Sequence, residues 1–200
     1  MARIGLLGGT FNPPHIGHLV CAQEAWSQLG LERVLLLPVH APPHKEADGD
    51  PGVAHRLAMC EAAVARDERL GVSRAEVDVP GRSYTVDTLN RLHEARPEDQ
   101  LTFIVGGDMA ASLPEWREPR AILERCSIGV AARDGVGREH VLERLDRELP
   151  GARDRISFFD MPRIDVSSTL VRRHIAAGRP VRYLVPEPVA AYIEREGLYR

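Results

Sequence analysis

Short runs of apolar and β-branched residues recur along the chain, and stretches with helical spacing of apolar positions separate them. The runs predict β-strands at 4–7, 33–38, 101–106, 127–132 and 155–159, and the spacing predicts helices at 54–67 and 139–149. Alternating strands and helices indicate an α/β fold with a Rossmann-like, doubly wound, mostly parallel sheet. In such a fold we expect ligands at the carboxyl ends of the strands.

The strand alternation stops after residue 159, where the pattern changes to two helices at 167–177 and 186–196. A length of 200 residues with 44% hydrophobic residues suits a single domain. We therefore expect one domain over 1–200, with a sheet core at 1–160 and a small helical lobe at 161–200. Residues 38–52, rich in Pro, His, Asp and Gly, predict a loop over the site.

Charge and cysteine content narrow the classes of partner. The formal net charge of -3 provides no global attraction to nucleic acid or anionic membrane, so we expect small-molecule partners. No apolar run approaches the roughly 18 residues of a membrane span. The three separated cysteines indicate reduced thiols and a cytoplasmic location. The oligomeric state is not readable from the sequence, which is compatible with a homo-oligomer.

Residues 8–18, which we call the glycine–histidine loop, follow the first predicted strand. A glycine turn that opens into a helix exposes backbone N–H groups to anions, and histidines at i and i+3 face the same side. The loop thus predicts a phosphate site built from Gly8, Gly9, Thr10, Phe11, His15 and His18. A helix cap or a solvated polar patch is the alternative explanation. The G-x-G-x-x-G and G-x-x-x-x-G-K-[ST] fingerprints are absent.

A second candidate anion site begins at Ser167. Hydroxyls at a helix start and a cation within the first turns place N–H, O–H and guanidinium donors near one another. The residues concerned are Ser167, Ser168, Thr169 and Arg172. A serine N-cap followed by surface arginines explains the same segment without a ligand.

Three further segments have candidate functional residues. In the segment from Ser83 to Leu89, Ser83 is expected to cap a helix with Val86 and Leu89 facing the core. Trp116 follows a proline-containing loop, where it either stacks on a flat heterocycle, the role we favour, or packs in the core or at an interface. His40 and His44 lack the spacing of a zinc site.

Several motifs together resemble the bacterial nicotinate-nucleotide adenylyltransferase family of the HxGH nucleotidyltransferase superfamily. The similar segments cover nearly the full length and are GGTFNPPHIGHL at 8–19, PPHK at 42–45, SYTVDTL at 83–89, GGD with LPEW at 106–116, and SSTLVR at 167–172. The resemblance implies transfer of the adenylyl group of ATP to nicotinate mononucleotide, with Mg²⁺ accompanying ATP and no protein metal site.

The resemblance also implies roles for individual residues. His15, His18, Thr10 and Arg172 would bind the triphosphate and stabilise developing charge, with Lys45 as a further phosphate contact. In the same family, the backbone around Thr85 and the ring of Trp116 would contact the pyridine. Arg133 stands where the family often has an arginine for the mononucleotide phosphate, although Asp134 replaces the usual proline. Asp108 is expected to hold a ribose hydroxyl or to take part in metal binding.

Two alternatives stay open at the level of sequence. An enzyme of the same fold with another acceptor, above all nicotinamide mononucleotide, differs too little in its ligand to be excluded. A non-catalytic nucleotide-binding protein with this fold is the second alternative, because fold alone does not determine function.

Overall fold

The computed structural model of the chain describes residues 1–41, 49–132 and 137–200. Six strands form one parallel sheet with the order β3-β2-β1-β4-β5-β6 and helices on both sides. The strands are β1 (Arg3–Gly9), β2 (Arg33–Pro38), β3 (Leu70–Val72), β4 (Gln100–Gly106), β5 (Cys126–Ala132) and β6 (Ile156–Asp160). The predicted α/β class with a doubly wound parallel sheet is therefore confirmed.

The described residues contain eight α-helices. They are α1 (Ile16–Gln28), α2 (Val53–Val64), α3 (Thr85–Ala95), α4 (Gly107–Ala111), α5 (Pro119–Arg125), α6 (Arg138–Glu148), α7 (Ser168–Ala176) and α8 (Glu187–Glu196). Short 3₁₀ helices lie at Leu113–Glu115 and Ala152–Arg155. No helix in these ranges is long and apolar enough to cross a membrane.

The chain divides into two compact units. The first unit comprises Met1–Gly8, Cys21–Leu35 and Tyr84–Arg163, and the second comprises Gly9–Val20, Leu36–Ser83 and Ile164–Arg200. In the first unit, the registers Ile104↔Gly129 and Val130↔Phe158 align β4, β5 and β6 in parallel. Buried aliphatic side chains of β4 and β5 form its core, as expected for a parallel sheet covered on both faces.

The second unit has its own apolar core, made by helices α2, α7 and α8. Its fully buried members are Met59, Val171, Val185, Val189 and Ile193. These side chains come from segments that are far apart in sequence, so their burial fixes α7 against α2 and α8. The N-terminal end of α7 is thereby held in a defined place within this unit.

Several observed elements, α4 and α5 among them, were not predicted from the sequence. Strand β3 has three residues, too few for a recognisable pattern of apolar positions, and was not predicted. The N-cap of α3 is Tyr84 rather than Ser83, so the expected cap is wrong by one residue. Its backbone is extended and its side chain makes no cap hydrogen bond, whereas Val86 and Leu89 are buried as expected.

Candidate active site

The glycine–histidine loop begins at the last two residues of β1, Gly8 and Gly9, and leads into α1. Phe11 adopts a positive φ of 51°, and its buried ring lies against Gly9. A Cβ on Gly9 would lie 3.0 Å from that ring, so any larger residue would have to displace the ring by a few tenths of an ångström. Phe11 thus folds back over the turn, and its ring contacts His18 edge to face at 4.9 Å between centroids.

His15 and His18 lie side by side at the start of α1. Their ring centroids are 3.7 Å apart, and the backbone N–H of His15 donates a 3.1 Å hydrogen bond to Nδ1 of His18. Because Nδ1 is the acceptor, the neutral His18 ring has its proton on Nε2. Nδ1 of His15 is buried and has no hydrogen-bond partner among the described residues.

Burial keeps both histidines neutral near pH 7. Burial lowers the pKa of His15 to about 4. Burial, together with the nearby His15, lowers the pKa of His18 to about 3. The pair therefore offers an N–H donor and a ring nitrogen rather than two positive charges.

The structure joins the motif at the start of α7 to the glycine–histidine loop. Ser168 Oγ donates a 2.8 Å hydrogen bond to the carbonyl of Pro13, and Arg172 Nη1 donates a 2.8 Å hydrogen bond to the carbonyl of Asn12. Ser167 is the N-cap, and its Oγ accepts from the N–H of Leu170 at 3.1 Å. The two candidate anion sites therefore lie together within the second unit.

These contacts leave part of the donor capacity of α7 unused. Arg172 Nη2 lies 3.4 Å from Thr169 Oγ1, and its Nε makes no hydrogen bond with the described residues. The hydroxyl of Ser167 accepts at the cap and keeps its own proton to donate. Together with the N–H groups of the first turn, they form a positively polarised surface that suits phosphate oxygens.

Arg56, which was not predicted from the sequence, binds the main chain of the glycine–histidine loop at Thr10. It is 1% exposed, and its guanidinium donates to the carbonyls of Thr10, Val39 and His40 at 3.1, 2.7 and 2.8 Å. Its Nε pairs with Asp50 at 3.1 Å. The sequence did contain a signal for its burial: Met59 and Cys60, three and four residues after Arg56, lie on the same face of the helix and are apolar.

Tyr199 is a second residue that the sequence analysis missed. Its hydroxyl donates a 2.6 Å hydrogen bond to Oδ1 of the buried Asn12, whose Nδ2 has no partner among the described residues. Burial raises the pKa of Tyr199 well above its usual value, so the phenol stays protonated and acts as the donor. A tyrosine near the end of a chain has no local pattern that would reveal such a contact.

The candidate mononucleotide residues lie in the first unit. Thr85 is the first residue of α3, where backbone N–H groups lack helical partners. Trp116 follows the 3₁₀ turn Leu113–Glu115, its Nε1 donates to Ser112 Oγ at 3.1 Å, and its ring stands perpendicular to Phe103. The ring is therefore held at its edge while its faces stay partly accessible.

Arg117 brings a positive charge to the start of α3. Its guanidinium lies over the ring of Tyr84, 4.9 Å from the centroid, and its Nη1 is 3.5 Å from Asp87 Oδ2. Asp108 lies exposed in the first turn of the five-residue helix α4. Two other candidates, Lys45 and Arg133, lie outside the described residues.

A parallel α/β sheet with a phosphate-type loop after β1 and a basic helix start joined to it defines a nucleotide-binding α/β protein. The cytidylyltransferase-like family model matches residues 6–174. The chain belongs to this family, and it is a nucleotidyltransferase.

Two relatives match along almost the whole chain. A protein of Thermomicrobium roseum, described as a probable nicotinate-nucleotide adenylyltransferase, is 42% identical over 100% of this chain and 92% of its own length. A protein of Roseiflexus castenholzii with the same description is 46% identical over 99% of this chain and 98% of its own length. The chain thus spans more than nine-tenths of the length of each of these relatives.

Solved structures share the fold at low identity. The nicotinic acid mononucleotide adenylyltransferase of Plasmodium falciparum, in complex with NaAD, superimposes with a TM-score of 0.77 at 15% identity. The superposition covers 100% of this chain and 98% of that chain. A Vibrio parahaemolyticus protein, described as a putative nicotinate-nucleotide adenylyltransferase, gives 0.67 at 20% identity and covers 100% of this chain and 96% of its own.

Proposed function

We propose that this chain transfers the adenylyl group of ATP to nicotinate mononucleotide, giving nicotinate adenine dinucleotide and pyrophosphate. The observation that carries the proposal is the pair of hydrogen bonds that join the glycine–histidine loop to the start of α7. The chain is also more than 40% identical to two relatives described as probable nicotinate-nucleotide adenylyltransferases. A protein that merely binds a nucleotide does not require two phosphate motifs held together by hydrogen bonds. NAD biosynthesis in the cytoplasm is the context we propose, and its reducing conditions suit the three free cysteines.

In this proposal the second unit binds the triphosphate. Nε2–H of His18 donates to a phosphate oxygen, because Nδ1 is already an acceptor within the loop. Arg172 and the N-terminal N–H groups of α7 supply positive potential, with Ser167, Ser168 and Thr169 as hydroxyl donors. Thr10 and the backbone of Gly9 and Phe11 complete the phosphate contacts of this unit.

The reaction needs no general base from the protein. The phosphate of nicotinate mononucleotide is an anion at neutral pH, so its oxygen attacks the α-phosphorus of ATP directly. A bond forms between that oxygen and the α-phosphorus, and the bond from the α-phosphorus to the α,β-bridging oxygen breaks, which releases pyrophosphate. Positioning of the two reactants can lower the barrier by about 7–11 kcal/mol, and donors aimed at the developing charge add to this.

Mg²⁺ is proposed to arrive with ATP. Among the described residues, no group of three or more His, Cys, Asp or Glu side chains lies close enough to hold a metal ion. Mg²⁺ bound with a nucleotide would need few or no protein ligands, so a dedicated protein cage is not required. Neutralising triphosphate charge is the chemistry that the ion would supply. Asp108 is the exposed carboxylate that we propose as a ribose or metal contact.

The pyridine end is proposed to bind in the first unit. The free N–H groups at the start of α3, around Thr85, suit the carboxylate of nicotinate. Arg117 lies beside that helix start, ion-paired with Asp87 and Glu118. Trp116 would stack on the pyridine ring. From the family resemblance we also propose that Lys45 contacts phosphate and that Arg133 contacts the mononucleotide phosphate.

The proposal is tested by pyrophosphate release from the full chain with ATP and Mg²⁺, with nicotinate and nicotinamide mononucleotides assayed in parallel. The expected result is turnover with a strong preference for the acid, and nicotinate adenine dinucleotide as the product by mass spectrometry. Equal or reversed preference would contradict the acceptor. No turnover with either would contradict the reaction.

A matched pair of arginine variants tests whether adenylyl transfer depends on the position of Arg172. Arg172 binds the carbonyl of Asn12, whereas its neighbour Arg173 is exposed. Arg172→Ala is expected to lower kcat/KM at least tenfold, and Arg173→Ala to leave it within twofold. Equal effects of the two changes would contradict the assignment of Arg172.

A further inference from the structure

A cavity of about 840 Å³ opens within the first unit, and none of the residues proposed above for catalysis lines it. It lies at the amino ends of β1, β4, β5 and β6, where Arg3, Thr102, Ser127 and Ser157 line it. Asp108 follows the carboxyl end of β4. Since β4 has seven residues and strands rise about 3.3 Å per residue, its two ends are roughly 20 Å apart. The cavity is therefore separate from the candidate site at the other end of the strand.

Three hydroxyl side chains stand in a row on one face of this part of the sheet. Thr102 and Ser127 are register partners on β4 and β5, and Ser157 on β6 pairs with Gly129, two residues beyond Ser127. Parallel partners, and residues two apart on one strand, point to the same face. Faces of parallel sheets are normally apolar because helices cover them. Three adjacent hydroxyls indicate a face that contacts water or a polar ligand instead.

Two arginines are held so that their terminal nitrogens stay available. Arg125 Nε donates to Asn90 Oδ1 at 3.2 Å, and Arg155 Nε donates to the carbonyl of Leu123 at 2.9 Å. Within the described parts of the chain, the Nη atoms of both make no hydrogen bond. A guanidinium anchored through Nε loses less freedom on binding and presents its paired Nη donors to an oxyanion.

A third guanidinium, that of Arg3, also lines the cavity and makes no side-chain hydrogen bond to any residue that the structure describes. Two carboxylates, Asp99 and Glu124, line it as well. Asp99 is already engaged, since Oδ1 accepts the N–H of Ala2 at 3.0 Å and Oδ2 lies 4.0 Å from Arg96 Nη1. Both carboxylates keep their negative charge, so three guanidinium groups against two carboxylates leave the lining with a net positive charge, which favours an anion.

We propose that this cavity binds a phosphorylated small molecule, distinct from the substrates at the catalytic residues. Guanidinium and hydroxyl donors together match the several acceptor oxygens of a phosphate group. The volume falls in the range of about 300–1,000 Å³ typical of small-molecule sites, so the ligand is larger than a single phosphate. Leu29, Leu31 and Phe158 provide an apolar wall for the remainder of the molecule.

The test is calorimetric titration of the full chain with inorganic tripolyphosphate as the probe. Two classes of site are expected, one at the glycine–histidine loop and one in the cavity. Arg125→Gln with Arg155→Gln should weaken the cavity class at least tenfold. The control, Arg147→Gln with Arg153→Gln, removes the same charge from two exposed arginines of the first unit outside the cavity and should leave both classes within twofold.

A second variant keeps every arginine in place. Ser157→Glu introduces a carboxylate into the cavity and is expected to weaken the cavity class at least tenfold, while thermal unfolding confirms that the variant folds. Unchanged binding in both the arginine and the Ser157 variants would overturn the proposal. Citrate binding to the cavity as tightly as tripolyphosphate would overturn the assignment to phosphate. Arg172→Ala should remove only the class of site at the glycine–histidine loop and leave the cavity class unchanged. Absence of the loop class from the unaltered chain would contradict the proposed function and not the cavity proposal.

Discussion

The hydroxyl of Tyr199 donates a 2.6 Å hydrogen bond to Oδ1 of Asn12, across 187 positions of sequence. Asn12 is 3% exposed, so its Oδ1 has little access to water. The bond fixes which end of the amide faces the tyrosine. It also connects the segment after α8 to the loop that we propose binds phosphate.

Tyr199→Phe should destabilise the protein, because the buried Oδ1 of Asn12 would lose its donor. Leaving such an acceptor unpaired costs about 1–3 kcal/mol. Denaturant unfolding measures the change in free energy. Tyr183→Phe is the control, since Tyr183 is 81% exposed, and it should change the free energy by less than about 0.5 kcal/mol. Equal values for the two variants would contradict the structural role of the bond.

The lowered pKa values of His15 and His18 predict a loss of stability in mild acid. Their folded pKa values of about 4 and about 3 lie below the unfolded value of 6.5. Between those values the unfolded chain binds more protons than the folded chain does. The contribution of the two histidines to the free energy of unfolding is therefore greatest above pH 6.5, and it decreases as the pH falls towards 3. The slope is at most about 1.4 kcal/mol per pH unit for each histidine.

Unfolding free energies measured from pH 7.5 to 4.5 check this slope. His15→Gln with His18→Gln should flatten it, because glutamine does not titrate. His140→Gln, at an exposed position, should leave it unchanged. An unaltered slope in the double variant would show that other groups control the acid response.

His18→Ala is expected to lower kcat about 100-fold with a moderate change in KM. The reason is loss of the Nε2–H donor, since removing one donor to developing charge typically lowers kcat by about 10²–10³. Steady-state kinetics with ATP varied measure both constants. His18→Asn, which retains an N–H donor, should recover part of the rate. An unchanged kcat would exclude His18 from charge stabilisation.

Trp116→Ala should raise the KM for the mononucleotide about tenfold and leave the KM for ATP near its original value. Stacking of a base on an aromatic ring is worth about 1–3 kcal/mol, which corresponds to this change. Trp116→Phe keeps a ring and should have a smaller effect. If Trp116→Ala lowers thermal stability with both KM values unchanged, packing against Phe103 is its role.

Arg56→Ala should lower the free energy of unfolding by about 3 kcal/mol or more. The change removes one partner of a buried ion pair and leaves three carbonyls without their donor. Denaturant unfolding gives the value, and Arg66→Ala, at an exposed position just after α2, is the control. A loss below about 1 kcal/mol would mean that water replaces the guanidinium.

Much of the sheet was predictable because its strands are continuous apolar runs. The predicted bounds at 33–38 match β2 fully, and the runs in β4 and β5 were found to within one residue at their start. Short elements such as β3 and α4 were missed, since three to five residues do not establish a period. Contacts between distant segments decide whether such elements form.

For the candidate site, residues within local motifs were predictable, and residues that act across the fold were not. Ser167 was found because a serine before a helical pattern is a known cap. Arg56 and Tyr199 were missed, because their contacts depend on tertiary packing. The neutral state of the histidines was also beyond the sequence, since it follows from burial.

Ser168 and Arg172 attach α7 to main-chain carbonyls of Pro13 and Asn12, not to their side chains. Every amino acid provides that acceptor, so the attachment does not depend on side-chain identity at the two positions. Natural variation or library selection at positions 12 and 13 can therefore retune the loop while the junction with α7 persists. The junction is in this respect more tolerant of mutation than the side chains it brings together.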